Sequence, residues 1–459
     1  MLRKKLNLHN NTISSLIVTI LLVVVSVVIV VIILNFSKTF TNSSISNVSN
    51  INNSTLADIK MYLHNEESKN GRLFFKYDPL GKLKNKTISV YGYSLFNYPR
   101  IDFNTPVVLV GGLNTLDIGI IYETYNLVLY LDNDYELFLS NIKNTNKYPT
   151  NCPAGYVSVP GNALYNTNYP GTGGFCIMQY EAKVDENNDG IGDSNEDCKF
   201  GVYNLWQTQD SNGINNTGCE IDNVNRKLVS SAQGYAIAYI AADYNIDYNS
   251  DYIDAKDLCS NLGDNYHLTT NEEWMTIARN IELQSENWSG GEVGSGKIKK
   301  GNIGSDEEGV SYKAESNPRP EYTTRTEGDI TAKLVLSNNS EIWDFSGNLY
   351  EWVDKKNQQQ NLPLSNNPPW ASDYSDFNNL GILSYNDIFS INSNWDYSQG
   401  LGKYYTNYDL SNEYFSWMRG GSFAYGFTSE DISGIFIIDW QYTTNTQIYG
   451  TGFRCVYVP

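Results

Sequence analysis

A chain of 459 residues exceeds what one ordinary hydrophobic core organises, so two or three domains are expected. Its formal net charge of -19, from 51 acidic against 32 basic residues, argues against a nucleic-acid partner and for a solvated extracellular surface. The histidines, His9, His64 and His267, stand in three separate regions, which argues against a histidine-rich metal centre. With 35 tyrosines and only 18% charged residues, the composition suits β-rich, loop-rich domains.

Leu16 to Leu34 is an apolar run interrupted only by Thr19 and Ser26, and Arg3, Lys4 and Lys5 precede it. As a helix it would extend roughly 28 Å, enough for a bilayer core. The basic residues keep the N-terminus inside, so residues 1–36 are expected to form a cytoplasmic tip and transmembrane helix. The expected localisation is single-pass in the cell membrane, with the C-terminal domains extracellular. A cleaved secretory signal is the alternative, but its apolar core runs about 7–15 residues, and Asn35-Phe36-Ser37-Lys38 makes a poor cleavage site. The stretch from Ile13 to Leu22 also resembles the N-terminal helix of archaeal pilins and archaellins, which implies a filament subunit or homo-oligomer. Asn10-Asn11-Thr12 stands where that family has a basic and a small residue.

Residues 37–60, dominated by Ser, Thr and Asn, read as a polar stalk. Asn42, Asn47, Asn53, Asn85, Asn215 and Asn287 each open an Asn-x-Ser/Thr triplet, an acceptor outside the cytosol. Residues 61–148 carry short β-like runs, Leu73–Tyr77, Thr87–Tyr93, Val107–Val110, Leu127–Leu131 and Glu136–Leu139. Gly, Pro and Asn-Asp clusters separate them, which predicts a small all-β domain without a catalytic constellation.

A second domain, 149–459, is expected to start near Cys152. Ile253–Leu262 is a short amphipathic helical segment ending at Gly263. Thr270-Asn271-Glu272-Glu273 is a capping box that opens a helix to about Glu282, with Trp274, Ile277 and Ala278 on one face. The Asn/Tyr/Pro-rich tract from Lys356 to Tyr414 reads as loop, and loops of that length are usually functional or stapled down. Six cysteines, Cys152, Cys176, Cys198, Cys219, Cys259 and Cys455, predict three disulfides among 15 possible connectivities. A zinc site is disfavoured by the lack of a Cys-x-x-Cys pair or a neighbouring histidine.

Asp185 to Glu196 fits the twelve-residue calcium loop. Oxygen side chains fall at positions 1, 3, 5, 9 and 12, with Gly190 at position 6. Asp185, Asn187, Asp189, the Ile191 carbonyl and Glu196 are the candidate Ca²⁺ ligands, with Asp193 acting through water. The flanks are not paired amphipathic helices, so the loop reads as structural. An acidic turn without metal is the plain alternative.

Four ordered segments remain: His267–Trp274 followed by Ile277-Ala278-Arg279; Ile342-Trp343-Asp344-Phe345-Ser346-Gly347-Asn348-Leu349-Tyr350-Glu351-Trp352-Val353-Asp354; Met418-Arg419-Gly420-Gly421-Ser422-Phe423; and Gly452-Phe453-Arg454-Cys455. In this order they resemble the formylglycine-generating (sulfatase-modifying) enzyme family, whose fold is a variant of the C-type lectin. The resemblance implies a helix-to-last-strand disulfide, Cys259–Cys455, and the other two pairs are taken as sequential, Cys152–Cys176 and Cys198–Cys219. It also implies a second calcium set, Asp344 and Glu351 through side chains with Gly347 and Leu349 through carbonyls. Of the family's other calcium site, Asn302-Ile303 is the recognisable trace. Trp343, Tyr350 and Trp352 then read as core, and Asp354 is a candidate partner for Arg419 or Arg454.

The catalytic members of that family bind copper through two cysteines soon after the Gly-Gly-Ser motif, and Cu(I) needs soft thiolates. Tyr425 and Glu430 stand in that place, and the scattered histidines cannot supply an iron site. No catalytic residues are therefore assigned, and an oxidase of the family type is the disfavoured alternative. Tyr425, Phe427, Trp440, Tyr442 and Tyr449, between Gly421 and Gly452, are the candidate ligand-binding residues, because Tyr and Trp give large contact area at low entropy cost. The competing assignment for each is core, especially along Gly434–Ile438. The segment also resembles the diversified C-terminal region of proteins served by diversity-generating retroelements.

The expected architecture is α+β: a transmembrane helix, a small all-β domain and a loop-rich C-type lectin-like domain. The expected function is a membrane-anchored, adhesin-like surface protein, stabilised by calcium and disulfides, that binds an external protein or glycan. A pilin-type filament subunit is the other alternative.

Overall fold

The computed structural model of the protein describes residues 63–77, 88–95, 100–110, 112–119, 124–131, 136–192, 202–203, 219–220, 227–243, 254–301, 332–358, 370–371, 387–392, 394–405, 414–422 and 433–459. The chain divides into two compact units, Met1–His64 with Asp78–Lys86, and Asn65–Tyr77 with Thr87–Pro459. The latter holds nearly all the described residues. The apolar run Leu16–Leu34, its pilin-like part and the stalk lie outside the described residues.

The expectation of an α+β chain hung from a membrane helix is corrected. Strands dominate the described residues, which contain two α-helices, α1 (Ala255–Ser260) and α2 (Asn271–Glu282). Among the described residues no helix is long and apolar enough to cross a membrane. At about 1.5 Å per residue α2 reaches roughly 18 Å, against a hydrocarbon core of about 30 Å, and its first turn carries Glu272 and Glu273. The single-pass membrane localisation finds no support and is withdrawn.

Seven strands form the first two sheets: β1 (Leu63–Lys69), β2 (Arg72–Tyr77), β3 (Ile88–Leu95), β4 (Ile101–Leu109), β5 (Gly112–Asp117), β6 (Thr124–Leu131) and β7 (Glu136–Lys143). One sheet runs β1-β2-β5 and the other β4-β3-β6-β7. Alternation sets their faces: Leu73, Phe75 and Tyr77 point inward from β2, while Lys76 is exposed. Sequence alternation finds β2, β3, β6, β7 and the end of β4. It misses β1, whose residues His64-Asn65-Glu66-Glu67-Ser68 are polar, and β1 is placed by its turn instead. Asn70 and Gly71, both at positive φ (48° and 76°), make the two-residue connection to β2 that a twisted hairpin favours.

That turn is the docking point on the following domain. The Asn70 carbonyl accepts from Ala163 N at 2.8 Å. Its side-chain amide donates to the carbonyls of Lys147 and Gly173 and accepts from Lys147 N. Asn162 Nδ2 donates to Gly119 O at 3.1 Å.

Beyond it, β8 (Tyr156–Pro160) and β9 (Gly174–Met178) join the strands Cys455–Tyr457 and Tyr266–Leu268 in a four-stranded sheet, with the last strand of the chain beside β9. β10 (Lys183–Asp185) pairs with Lys227–Val229. An eight-stranded sheet centres on Tyr350–Gln358, flanked by Tyr414–Gly420 on one side and parallel Thr451–Phe453 on the other. Trp274, Trp288, Trp352, Trp417 and Trp440 are all fully buried in this part.

Two disulfides brace it. Cys152–Cys176 ties the entry segment to β9, and Cys259–Cys455 ties α1 to the final strand. Cys198 lies outside the described residues, and no cysteine among the described residues is free. Helix α2 begins at the expected capping box: Thr270 accepts from Glu273 N, and the Glu273 carboxylate accepts from Thr270 N. Of the glycosylation triplets, only Asn287 is described. It is buried, with its amide donating to Ile281 O and Val335 O, which leaves no room for a glycan.

Candidate functional site

The segment after the strand Glu341–Trp343 turns sharply because Asp344, Gly347 and Asn348 all take positive φ (57°, 91° and 68°). Asp and Asn enter that region through their short polar side chains, and glycine enters it freely. Each turn of the loop is pinned. Asp344 N donates to Ala332 O at 2.7 Å, Gly347 N to Gly420 O at 2.9 Å, and Gly301 N to Ser346 O at 2.7 Å. Glu181, fully buried, accepts from Asn348 Nδ2 at 2.6 Å and from Leu349 N at 3.2 Å. Phe345 stacks on Trp274 of α2 with centroids 3.8 Å apart, and Trp274 Nε1 donates to Ile435 O. Tyr350 and Trp352 are core, as expected, and Trp343 is half-buried against Tyr180.

Two buried arginines organise the surroundings. Arg454 Nε donates to both Glu351 oxygens at 2.9 Å, Nη1 to Met178 O and Gln179 O, and Nη2 to Trp343 O. Arg419 donates to the carbonyls of Ile388, Phe436 and Ile437 and to the Asn271 side chain. Asp354 therefore pairs with neither arginine. It faces Lys256 at 3.2 Å, because the strand turns its side chain toward α1 and solvent. Burial pushes the Glu351 carboxyl upward against the pull of Arg454, and Asp344 adds to the rise.

The Asp344 charge acts on Glu351, but Glu351 already carries an ion-pair partner in Arg454. Among the described residues no group of three or more His, Cys, Asp or Glu is gathered for a metal. The Asp185 loop is organised differently. Asp185 Oδ2 accepts from Gly190 N at 2.7 Å and Oδ1 from Asp189 N at 3.2 Å. Asn187 Oδ1 accepts from Asp189 N, and Asp189 Oδ1 from Ile191 N. Asn188 and Gly190 take positive φ (60° and 83°), so three oxygen-bearing side chains fold back over one tight loop. Asp193 and Glu196 lie outside the described residues.

Of the five candidate recognition residues, Trp440 is fully buried, packed on Tyr404 and Trp417, and belongs to the core. The whole strand Gly434–Asp439 is buried with it. Tyr442 is half-buried against an apolar cluster. Tyr449 lies in a two-residue strand beside Tyr239–Ile240. Tyr425, Phe427 and Glu430 lie outside the described residues.

The sequence singles out Arg419 and Arg454 as motif members, but not their partners. Glu181 is 167 positions from Asn348, and Met178 is 276 from Arg454, so no local pattern announces either contact. His267, by contrast, meets its partner inside its own motif. Its Nε2 lies 2.9 Å from Glu273, which also accepts from Tyr169 at 2.8 Å. Burial lowers the His267 pKa, but the Glu273 hydrogen bond and charge outweigh it and raise the value overall.

The sulfatase-modifying factor enzyme 1-like domain family matches residues 213–458. A search of the curated proteins finds no match. The matched segment spans more than half of the chain and contains all four motifs and the buried arginines. The chain belongs to the sulfatase-modifying factor (formylglycine-generating enzyme) family, an enzymatic family with a C-type lectin-like fold.

Proposed function

We propose that this chain is a non-catalytic, ligand-binding member of its family. The observation that carries the reading is the commitment of its thiols. Cys152, Cys176, Cys259 and Cys455 are disulfide-bonded, and no cysteine follows Gly420-Gly421-Ser422 until Cys455. A copper centre of the family type needs two thiolates there. The scaffold that remains is a rigid, tryptophan-rich core displaying long loops, the usual seat of recognition residues. The segment from Gly421 to Gly452, outside the buried strand Gly434–Asp439, is the proposed recognition face, with Trp440 supporting it from the core. The test has two arms. Purified protein with Cu(I) and a cysteine-bearing sulfatase-type peptide should leave the cysteine mass unchanged, and conversion to the aldehyde would overturn the reading. On a glycan and protein array the whole chain should capture a ligand, and Tyr442→Ala should weaken that capture.

Calcium in the Asp185 loop belongs to the same proposal. The Asx-turn folding of Asp185, Asn187 and Asp189 supports it, since Ca²⁺ takes about six to eight oxygens. Chelation should lower the melting temperature of wild type more than that of Asp185→Ala. Equal responses would remove this loop as the site and leave Asp344–Glu351 as the next candidate.

A further inference from the structure

A cleft of about 240 Å³ opens where the β1–β2 hairpin meets the 166–173 loop. Lys69, Arg72 and Lys147 line it, together with Phe74, Tyr169 and Asn168, and no carboxylate is among its lining residues. That composition runs against a chain of net charge -19. We propose that this cleft binds a carboxylate-bearing sugar ring, of the uronic-acid type, within a longer acidic glycan.

Three observations carry the assignment. The cations are placed rather than trailing. Lys147 Nζ donates to Gly171 O at 2.6 Å, its backbone is locked to Asn70, and it forms no ion pair among the described residues. Arg72 is held by a bidentate bond to Asp117, with Nε at 2.5 Å and Nη2 at 3.0 Å, so its charge is already matched and Lys147 is the cation offered to a ligand. Second, the cleft wall is fixed: Asn168 Nδ2 donates to Asn70 O at 3.2 Å and holds the 166–173 loop against the hairpin turn. A cation calls for an anion, and an aromatic lining calls for an apolar face, so the ligand must present both. Third, the volume lies below the roughly 300–1,000 Å³ of pockets for drug-sized ligands, and Phe74 and Tyr169 offer ring faces to an apolar sugar surface. All these residues precede the family-matched segment 213–458, so the inference stands apart from the recognition loops and from the catalytic question.

The test uses the whole chain and calorimetric titration with oligogalacturonate, neutral oligogalactose and an oligoglutamate peptide. Oligogalacturonate should bind, more weakly as salt rises, and neutral oligogalactose should not. Lys147→Met, which keeps the stem of an exposed side chain, should weaken binding about tenfold or more at an unchanged melting temperature. Lys147→Arg should retain it. The proposal is overturned if wild type does not bind oligogalacturonate, if neutral sugar binds equally, or if Lys147→Met binds as well as wild type. Loss in both Lys147 variants would overturn it too, as would oligoglutamate binding as tightly as the sugar.

Discussion

Among the described residues of 63–143 every buried side chain is apolar or a neutral polar group, whereas from Tyr156 onward the interior encloses Glu181, Arg279, Glu282, Glu351, Arg419, Asp439 and Arg454. The first region is held by strand alternation and contains no cysteine; the second is braced by two disulfides and by buried charged groups that each hold several partners. Alternation is tolerant, because any apolar side chain of suitable size fills an inward position. A buried guanidinium with four acceptors tolerates nothing else. The lesson is that short, irregular loops can hold one conformation when each turn bonds to a unique buried group, as Asn348 does to Glu181 and Trp343 to Arg454.

The largest effect that would sharpen this contrast is loss of the long bridge. Cys259 and Cys455 are 196 positions apart, so replacing both with Ala should cost about 5 kcal/mol in the chain-entropy model, against about 3.5 for the Cys152–Cys176 pair. Denaturant midpoints of both variants check this, and equal losses would mean that loop length is not the controlling factor. Next, Arg454→Met strands the Glu351 carboxylate and should cost about 3–5 kcal/mol. Adding Glu351→Gln should recover part of that loss. In the first region Leu129→Ala should cost about 2–5 kcal/mol, with no polar partner whose replacement rescues it. Full additivity of Arg454→Met and Glu351→Gln would break the comparison.

A smaller effect concerns pH. Burial pushes the Asp439 carboxyl up to about 7, against hydrogen bonds from Gln441. The folded state therefore keeps a proton that the unfolded chain loses near pH 4. That stability is fully present below about pH 4 and is lost as pH rises through 7, with a slope of at most about 1.4 kcal/mol per unit. Asp439→Asn should flatten thermal stability between pH 4 and 7, while Glu351, pushed the same way, leaves a residual slope. An unchanged profile would show that Asp439 is ionised throughout. The smallest effect is at the cap: Thr270→Ala should cost about 1 kcal/mol, measurable as a shift in melting temperature.

Helix α2 was legible down to its first and last residues, because a capping box and a 3.6-residue apolar stripe are both local signals. The Cys259–Cys455 bridge followed from family resemblance alone. Strand β1 was not legible, since its polar residues carry no alternation and its place depends on the Asn70-Gly71 turn. Trp440 shows the limit at the site. Among Tyr, Thr and Gln it reads as a recognition residue, yet it is enclosed by Tyr404 and Trp417.

By itself, then, the sequence determined the family, the position of α2, the alternating strands, and the absence of the thiol pair that the family's copper chemistry requires. Each of these is written in residue identity at short range. The tertiary structure decided which acid meets which base, which aromatics are enclosed, and that Lys147 and Arg72 line one cleft on either side of the Asn70 turn. Those are contacts between segments up to 276 positions apart. They are fixed by burial, where an unpaired charge is costly enough that only one partner arrangement survives.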